Sequence, residues 1–162
     1  MVESSGEQEA QRLERAVQTY VERVERIPQQ LLTRTPSPGE WTIMELTAHA
    51  AEIYSYWAKQ FAEIRTRPGT PFGRTASDPD RARFIEEHKG DPLPSLIERM
   101  RTGSADAARA LRGYSPDEWQ TVTGIHAARG EMHMDAMSNL FLAGHAEEHL
   151  TQLDGTLREV QG

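Results

Sequence analysis

Apolar side chains recur every three or four residues near the start of the chain, as they do along one face of an α-helix. The first stripe consists of Leu13, Val17, Tyr20, Val24 and Ile27, with glutamate and arginine on the other faces. Residues 27–40 contain three prolines, and proline ends a helix because it removes a hydrogen-bond donor and clashes with the preceding turn. The pattern therefore predicts a first helix that ends near Ile27 and is followed by a loop.

A second stripe has the same period and begins after a helix-start signal. Thr42, with Glu45 three residues later, forms the capping-box pattern typical of a helix N-terminus. The residues of this stripe are Leu46, His49, Ile53, Tyr56 and Trp57. Residues 66–80 are rich in proline and glycine and have no period, so they predict a long loop, and residues 81–88 predict a short helix.

Two more helical stretches complete the pattern. Apolar spacing predicts a third helix over residues 93–111 and a fourth that begins near His133 and continues past Leu157. Between them, Ser115 and Glu118 form a second capping pattern. Residues 121–125 are the one β-like fragment, too short to build a sheet alone. Four long helices predict an all-α fold, a four-helix bundle.

The length and composition narrow the classes of protein. A chain of 162 residues suits a single domain over residues 1–162, and we expect disorder for about residues 1–6. The chain has no cysteine, which excludes disulfides, cysteine-ligated zinc, iron–sulfur clusters and a thiol nucleophile of its own.

The charge and hydropathy set the expected location and partners. A net charge of −7 argues against binding to a phosphate backbone. The first residues lack the basic and apolar regions of a signal peptide, and no apolar run approaches the ~20 residues that span a bilayer. We therefore expect a cytoplasmic protein whose partner is a small molecule rather than a nucleic acid or a membrane.

The most informative residues are three of the six histidines. His145 and His149 are four residues apart, so they share one face of a helix and lie on or beside its apolar stripe. His49 lies in the stripe of the second helix, one turn from Leu46 and Ile53. Crowded buried imidazoles repel when protonated and leave nitrogens unpaired when neutral, and a shared metal ion resolves both problems. A packed, hydrogen-bonded core histidine is the alternative for each of them.

Three neutral nitrogens suit zinc, nickel, iron or copper and disfavour calcium and magnesium. Three protein ligands also leave a position open for water, as in reactive sites. Around them, Glu52 is a candidate base, fourth ligand or hydrogen-bond acceptor, and Gln152 is a candidate to orient a bound water. Trp41 and Tyr56 are candidate walls of a substrate pocket, with core packing as the alternative. His88, His126 and His133 lie in loop-like segments and are left out of the site.

Two motifs resemble a known family. The segment GEWTIMELTAH at residues 39–49 resembles the turn and helix that lead to a metal histidine. The segments RGEM at 129–132 and GHAEEHLTQL at 144–153 resemble the C-terminal signature of the same family, the DinB-like (DNA-damage-inducible, YfiT-like) superfamily of metalloenzymes. The resemblance covers nearly the whole chain, and the segment at about 68–94 matches loosely.

The resemblance implies an up-down-down-up four-helix bundle, commonly a homodimer, with the long crossover between helices two and three supplied by residues 66–94. It also implies a divalent metal bound by His49, His145 and His149. Relatives include bacterial S-transferases and isomerases that use low-molecular-weight thiols such as bacillithiol or mycothiol, and many members without a known reaction.

Two classes of function follow. The first is a metal-dependent enzyme that activates water, as a hydrolase, or a low-molecular-weight thiol cosubstrate, as a thiol transferase. Hydrolysis needs a base, for which Glu52 is the first candidate. The second is a non-catalytic bundle, stabilised by its metal, that binds a small molecule or acts in a stress response. A bundle without metal, in which the histidines are packed and hydrogen-bonded, is a further alternative.

Overall fold

The structure is a computed structural model and describes residues 4–75 and 77–162. It is mostly helical, with three short strands. The helices are α1 (Gly6–Glu25), α2 (Gln29–Leu32), α3 (Ile43–Thr66), α4 (Pro79–His88), α5 (Leu93–Arg112), α6 (Pro116–Thr121), α7 (Met134–Phe141) and α8 (Ala143–Gln161). The strands are β1 (Pro71–Phe72), β2 (Thr123–His126) and β3 (Gly130–His133).

The four long helices pack as a bundle around one apolar core. α3 packs against α5 and α8, and α1 packs against the same two helices. The core combines large buried side chains from every long helix: Tyr20, Tyr54, Phe61, Met100, Leu111 and Leu153. The predicted stripes therefore face one another, as a bundle requires.

The capping patterns seen in the sequence are confirmed. Thr42 Oγ1 accepts a hydrogen bond from the backbone N–H of Glu45 at 3.1 Å, and Thr42 N–H donates to the Glu45 carboxylate at 3.1 Å. Ser115 and Glu118 form the same reciprocal pair at the start of α6. Each box satisfies two backbone donors that a helix N-terminus otherwise leaves unpaired.

The bounds of the other predicted helices need small changes. The third predicted helix is α5, and the short helix predicted at 81–88 is α4, which begins two residues earlier at Pro79. Against the disorder expected for residues 1–6, Ser5 caps α1 by accepting from Gln8 N–H at 3.2 Å, and Gly6 is its first residue. Residues 1–3 lie outside the described residues. No helix in the described part of the chain is long and apolar enough to cross a membrane.

A small sheet corrects the all-α prediction. β2 pairs with β3 in antiparallel register, with Ile125 opposite Glu131, and with β1 in parallel register, with Phe72 opposite His126. The strands have only two to four residues, so they carry too few side chains for an alternating pattern to be visible. The fragment judged too short to build a sheet is stabilised instead by partners from two other segments.

The fourth predicted helix is interrupted at Leu142, which corrects the prediction of one continuous helix. Leu142 has φ −130° and ψ −88°, outside the helical region, and separates α7 from α8. A Cβ atom at Gly144 would lie 1.9 Å from the Asn139 carbonyl oxygen, so only glycine allows the chain to turn here. The break starts α8 just before His145.

Candidate metal centre

Two helices bring three imidazoles together. His49 lies in the first half of α3, and His145 and His149 lie one turn apart near the start of α8. One nitrogen from each ring lies within 4.8 Å of the other two. Two nitrogens on one zinc ion are at most about 4.2 Å apart, so a small rotation of the side chains brings all three within reach of one ion. Among residues 4–75 and 77–162, no other such cluster of histidine and carboxylate groups is found.

The hydrogen bonds of these rings leave two buried nitrogens without a partner among the described residues. The Nδ1–H of His145 donates to Glu148 Oε2 at 3.2 Å, and His149 Nδ1 lies 3.4 Å from Tyr54 Oη. His149 Nε2 and His49 Nδ1 are buried and have no hydrogen-bond partner among the described residues. Histidine ligands of metals characteristically hydrogen-bond through the second nitrogen, which fixes the ring and its tautomer. The donor set therefore fits a divalent transition metal.

The surroundings keep the histidines neutral. Burial, reinforced by His149 and by Arg81, lowers the pKa of His49 to about 2. Burial, and then the charges of His145 and Arg81, lower the pKa of His149 to about 3. Burial also lowers the pKa of His145, against the opposing effect of Glu148. Neutral imidazole is the form that binds a metal, so the protein holds the ligands ready at neutral pH.

A cavity of about 460 Å³ opens onto the cluster. His49 and His145 lie in its wall. Its lining includes four apolar side chains, those of Ile53, Trp57, Leu140 and Phe141. Trp57 and Phe141 stack with ring centroids 4.6 Å apart and planes within 11°. A small organic molecule in the cavity would therefore meet both an aromatic surface and the imidazoles.

Glu52 lies outside the three-histidine cluster. Its carboxylate forms an ion pair with Arg74 Nη2 at 2.5 and 2.6 Å, and both side chains are nearly buried. In the structure Glu52 fixes Arg74, and its suggested role as a base, fourth ligand or hydrogen-bond acceptor stays a prediction.

The other predicted neighbours are distributed around the site. The ring of Trp41 packs on His49 at 5.1 Å and, with Gln152, lines an adjacent cavity of about 510 Å³. Tyr56 lies beneath the guanidinium of Arg74 at 3.9 Å, in a third cavity between α3 and α5. Of these three residues, Trp41 alone contacts a histidine of the cluster in the described structure.

The sequence analysis left His126 out of the site and did not single out Glu148, and the structure brings both to the cavity. His126 is 5% exposed, lines the cavity and stacks on Phe141 at 5.0 Å, and its Nδ1 accepts from Ala128 N–H. A Cβ atom at Gly73, where φ is +85°, would lie 2.9 Å from the His126 ring, so this glycine makes room for the ring. Glu148 also lines the cavity, and its three-residue spacing from His145 was a signal that could have found it.

The remaining two histidines lie elsewhere, as the sequence analysis expected. His88 Nδ1 lies 2.8 Å from Asp91 Oδ2, and its ring packs on Phe84. His133 is exposed and precedes α7 as its N-cap residue. Neither lines the cavity described above.

Comparison with known proteins gives the family. One similar solved structure is YfiT from Bacillus subtilis, which is described as a probable metal-dependent hydrolase with an unusual four-helix bundle topology. The two structures superpose with a TM-score of 0.77 at 14% sequence identity, and the match covers 98% of this chain and 90% of YfiT. A mutant of a mycothiol-dependent maleylpyruvate isomerase has a TM-score of 0.59 at 16% identity, and 97% of this chain spans 58% of it. These similarities show a shared fold. No curated protein sequence matches. The family model of the DinB superfamily matches residues 12–153, and the chain belongs to that superfamily.

Proposed function

We propose that the protein is a metal-dependent enzyme whose divalent metal, zinc, nickel or iron, is bound by His49, His145 and His149. The observation that carries this proposal is the pair of buried, unpartnered nitrogens, His49 Nδ1 and His149 Nε2, in a cluster whose nitrogens lie within 4.8 Å of one another. A buried polar atom without a partner costs free energy, and a metal ion satisfies several such atoms at once. The alternative of packed, fully hydrogen-bonded histidines does not account for these nitrogens.

A bound divalent metal would lower the pKa of water towards ~7 or deprotonate a thiol. The chain supplies the rest of the site. Tyr54 and Glu148 fix the rings of His149 and His145 through their Nδ1 atoms. Glu148 lines the cavity and is exposed, so it is the carboxylate placed to accept a proton from a molecule in the cavity.

Hydrolysis is the first reaction to test, because the structural neighbour with the higher TM-score is described as a probable metal-dependent hydrolase. Transfer to or from a low-molecular-weight thiol is the second, because the other neighbour is a mycothiol-dependent isomerase. The partner we propose is a small-molecule substrate. The homodimer and the cytoplasmic location stay predictions.

The up-down-down-up order also belongs to this proposal. Parallel α3 and α5 would need a connection that returns along the length of the bundle. α3 has 24 residues, so at about 1.5 Å per residue it is roughly 36 Å long. The connection between Thr66 and Leu93 includes the ten residues of α4 and is long enough for that return.

Metal analysis tests the proposal. Untagged protein is loaded with zinc, nickel or iron, freed of excess metal and measured by mass spectrometry. We expect about one ion per chain in the wild-type protein, and less than about a tenth of that in His49→Ala and His145→Ala. His133→Ala, an exposed histidine outside the cavity, is the matched control and keeps full metal. Sub-stoichiometric metal in the wild-type protein, unchanged by either substitution, would refute the metal site.

A second arm tests catalysis. Metal-loaded and metal-free protein are incubated with a panel of esters and amides, and separately with a low-molecular-weight thiol and a generic electrophile. Consumption that requires the metal assigns the protein to the hydrolases or to the thiol transferases. Stoichiometric metal without turnover in either panel favours the non-catalytic, metal-stabilised bundle.

A further inference from the structure

Positive charge is concentrated around the histidine cavity. Three arginines line it, Arg74, Arg81 and Arg129, against one carboxylate, Glu148. Arg74 and Arg81 lie in the connection between α3 and α5, and Arg129 lies in the turn between β2 and β3. The chain as a whole carries a net charge of −7, so the excess of positive charge around this cavity is opposite in sign to the charge of the whole protein. Such a cleft attracts anions and raises their local concentration.

The three arginines differ in how firmly they are held. Arg74 is fixed by its ion pair with Glu52 and by the ring of Tyr56, so most of its charge is offset. Arg81 is half-buried, and its guanidinium lies 5.0 Å from the ring centroid of Trp41. Arg129 is exposed at the mouth of the cavity.

Arg81 lies close to the proposed metal ligands. It lines the same cavity as His49 and His145, and the Trp41 ring beside its guanidinium also packs on His49. The pKa of Arg81 is lowered, first by burial and then by the charge of Arg74. Because Glu52 offsets most of the charge of Arg74, the cationic groups that an anion in the cavity would meet are Arg81, Arg129 and a bound divalent metal.

The same cavity also has apolar lining. Ile53, Trp57, Leu140 and Phe141 line it together with the arginines, and its volume of about 460 Å³ suits a small organic molecule. A free inorganic anion would leave these apolar side chains in water. A molecule with an apolar body and one anionic group can contact the apolar side chains and the arginines at the same time.

We propose that the substrate is an amphipathic organic oxyanion, whose apolar body lies on the Trp57 and Phe141 wall and whose anionic group is held by Arg81 and Arg129. The planar guanidinium presents paired donors that match the two oxygens of a carboxylate or a phosphate. The inference deepens the proposed function and rests on it for the reacting end of the substrate, which faces the histidines.

Calorimetric titration tests the inference with three probes of similar shape: 3-phenylpropionate, phenyl phosphate and the neutral 3-phenylpropionamide. We expect the anions to bind at least tenfold more tightly than the amide, since a hydrogen bond between two charged groups is stronger than one that involves a neutral group. The tighter of the two anions identifies the headgroup. Arg81→Gln and Arg129→Gln should each weaken anion binding about tenfold and leave the amide unchanged. Arg81→Lys, which keeps the charge, should recover part of the loss.

Arg109→Gln is the matched control, because this arginine is exposed, pairs with Asp106 on α5 and does not line the histidine cavity. It should bind all three probes as the wild-type protein does. Equal affinity for the amide and the anions, or anion binding unchanged in both Arg81→Gln and Arg129→Gln, would overturn the inference.

The titration is run on zinc-loaded and on metal-free protein, so that the two proposals fail separately. Stoichiometric zinc with anion binding that ignores the arginines overturns the substrate class and leaves the metal site standing. Arginine-dependent anion binding in a protein that takes up no metal refutes the proposed function and supports the anion site. Anion binding that requires zinc and not the arginines also overturns the inference, because the oxyanion would then be bound by the metal.

Discussion

The stability of the metal-free protein should fall steeply between pH 7 and pH 5, because two buried histidines stay neutral in the folded state. His49 is 2% exposed and His149 is 1% exposed. Burial, the largest cause in each case, lowers their pKa values to about 2 and about 3. In the unfolded chain both rings recover an ordinary pKa of about 6.5 and take up protons as the solution becomes acidic. The unfolded state therefore binds more protons below pH 6.5, and stability rises with pH in this window.

The magnitude follows from proton linkage. Well below pH 6.5, each group removes about 1.36 kcal/mol per pH unit until its folded-state pKa is reached. Between pH 7 and pH 5 the loss is about 1.9 kcal/mol for each ring, and about 4 kcal/mol for the pair. A domain of this size has a total stability of about 5–15 kcal/mol, so the loss removes a large part of it.

Urea unfolding at pH 7, 6 and 5, followed by tryptophan fluorescence and circular dichroism in the presence of a chelator, measures this loss. The matched control is the double variant His49→Gln, His149→Gln, which replaces both rings with neutral amides. The other four histidines are the same in both proteins, so their contributions cancel. We expect the wild-type protein to lose about 4 kcal/mol more than the double variant between pH 7 and pH 5. An equal loss of unfolding free energy in the two proteins would refute the reasoning. If the double variant is unfolded, each single variant should show about half of the extra loss between pH 7 and pH 5.

Three further predictions address the same site. Metal should be retained well below the ordinary imidazole pKa of about 6.5 for as long as the protein stays folded, because burial lowers the pKa of His49 to about 2 and that of His149 to about 3. Loss of metal between pH 6 and pH 5, measured by metal analysis after dialysis of protein that circular dichroism shows to be folded, would contradict these lowered pKa values. Glu52→Gln should lower the free energy of unfolding, measured with urea, by about 2–3 kcal/mol, because the nearly buried Arg74 then lacks its charged partner. The metal content should stay unchanged. Loss of metal at unchanged stability would instead make Glu52 a ligand. Tyr54→Phe should weaken metal affinity about tenfold in a competition with a chelator, because His149 Nδ1 loses its contact; unchanged affinity would show that Tyr54 does not position the ring.

The bundle could be predicted because its determinants are local in the sequence. Each long helix repeats apolar residues at a period that needs no knowledge of its neighbours, and the capping box at Thr42 fixes a helix start within four residues. The three histidines could be grouped for the same reason, since each one continues an apolar stripe. A polar residue in an apolar stripe is an anomaly that the linear sequence already displays.

The rest of the site depends on contacts between distant segments. His126 enters the cavity because β2 pairs with β1, a two-residue strand within the loop that the sequence predicts. No periodic signal can arise from strands this short. The break at Leu142 is equally invisible, because the apolar spacing continues through it and the close approach of Gly144 to Asn139 sets the turn. The three arginines of the cavity also come from distant segments, Arg74 and Arg81 from the connection between α3 and α5 and Arg129 from the turn between β2 and β3.

The absence of cysteine gives the two proposals a common test. Since the chain contains no thiol, a thiolate bound to a metal in this protein can come only from an added molecule. In the cobalt-loaded protein, near-ultraviolet thiolate-to-cobalt absorption therefore reports thiol binding without a background from the protein. If the arginines also select anions, 3-mercaptopropionate should produce this absorption at a lower concentration than 2-mercaptoethanol, and Arg81→Gln should remove the difference. Equal titration curves for the two thiols in the wild-type protein would show that the arginines do not contribute to thiol binding. If neither thiol produces the thiolate absorption, water is favoured as the molecule that the metal activates.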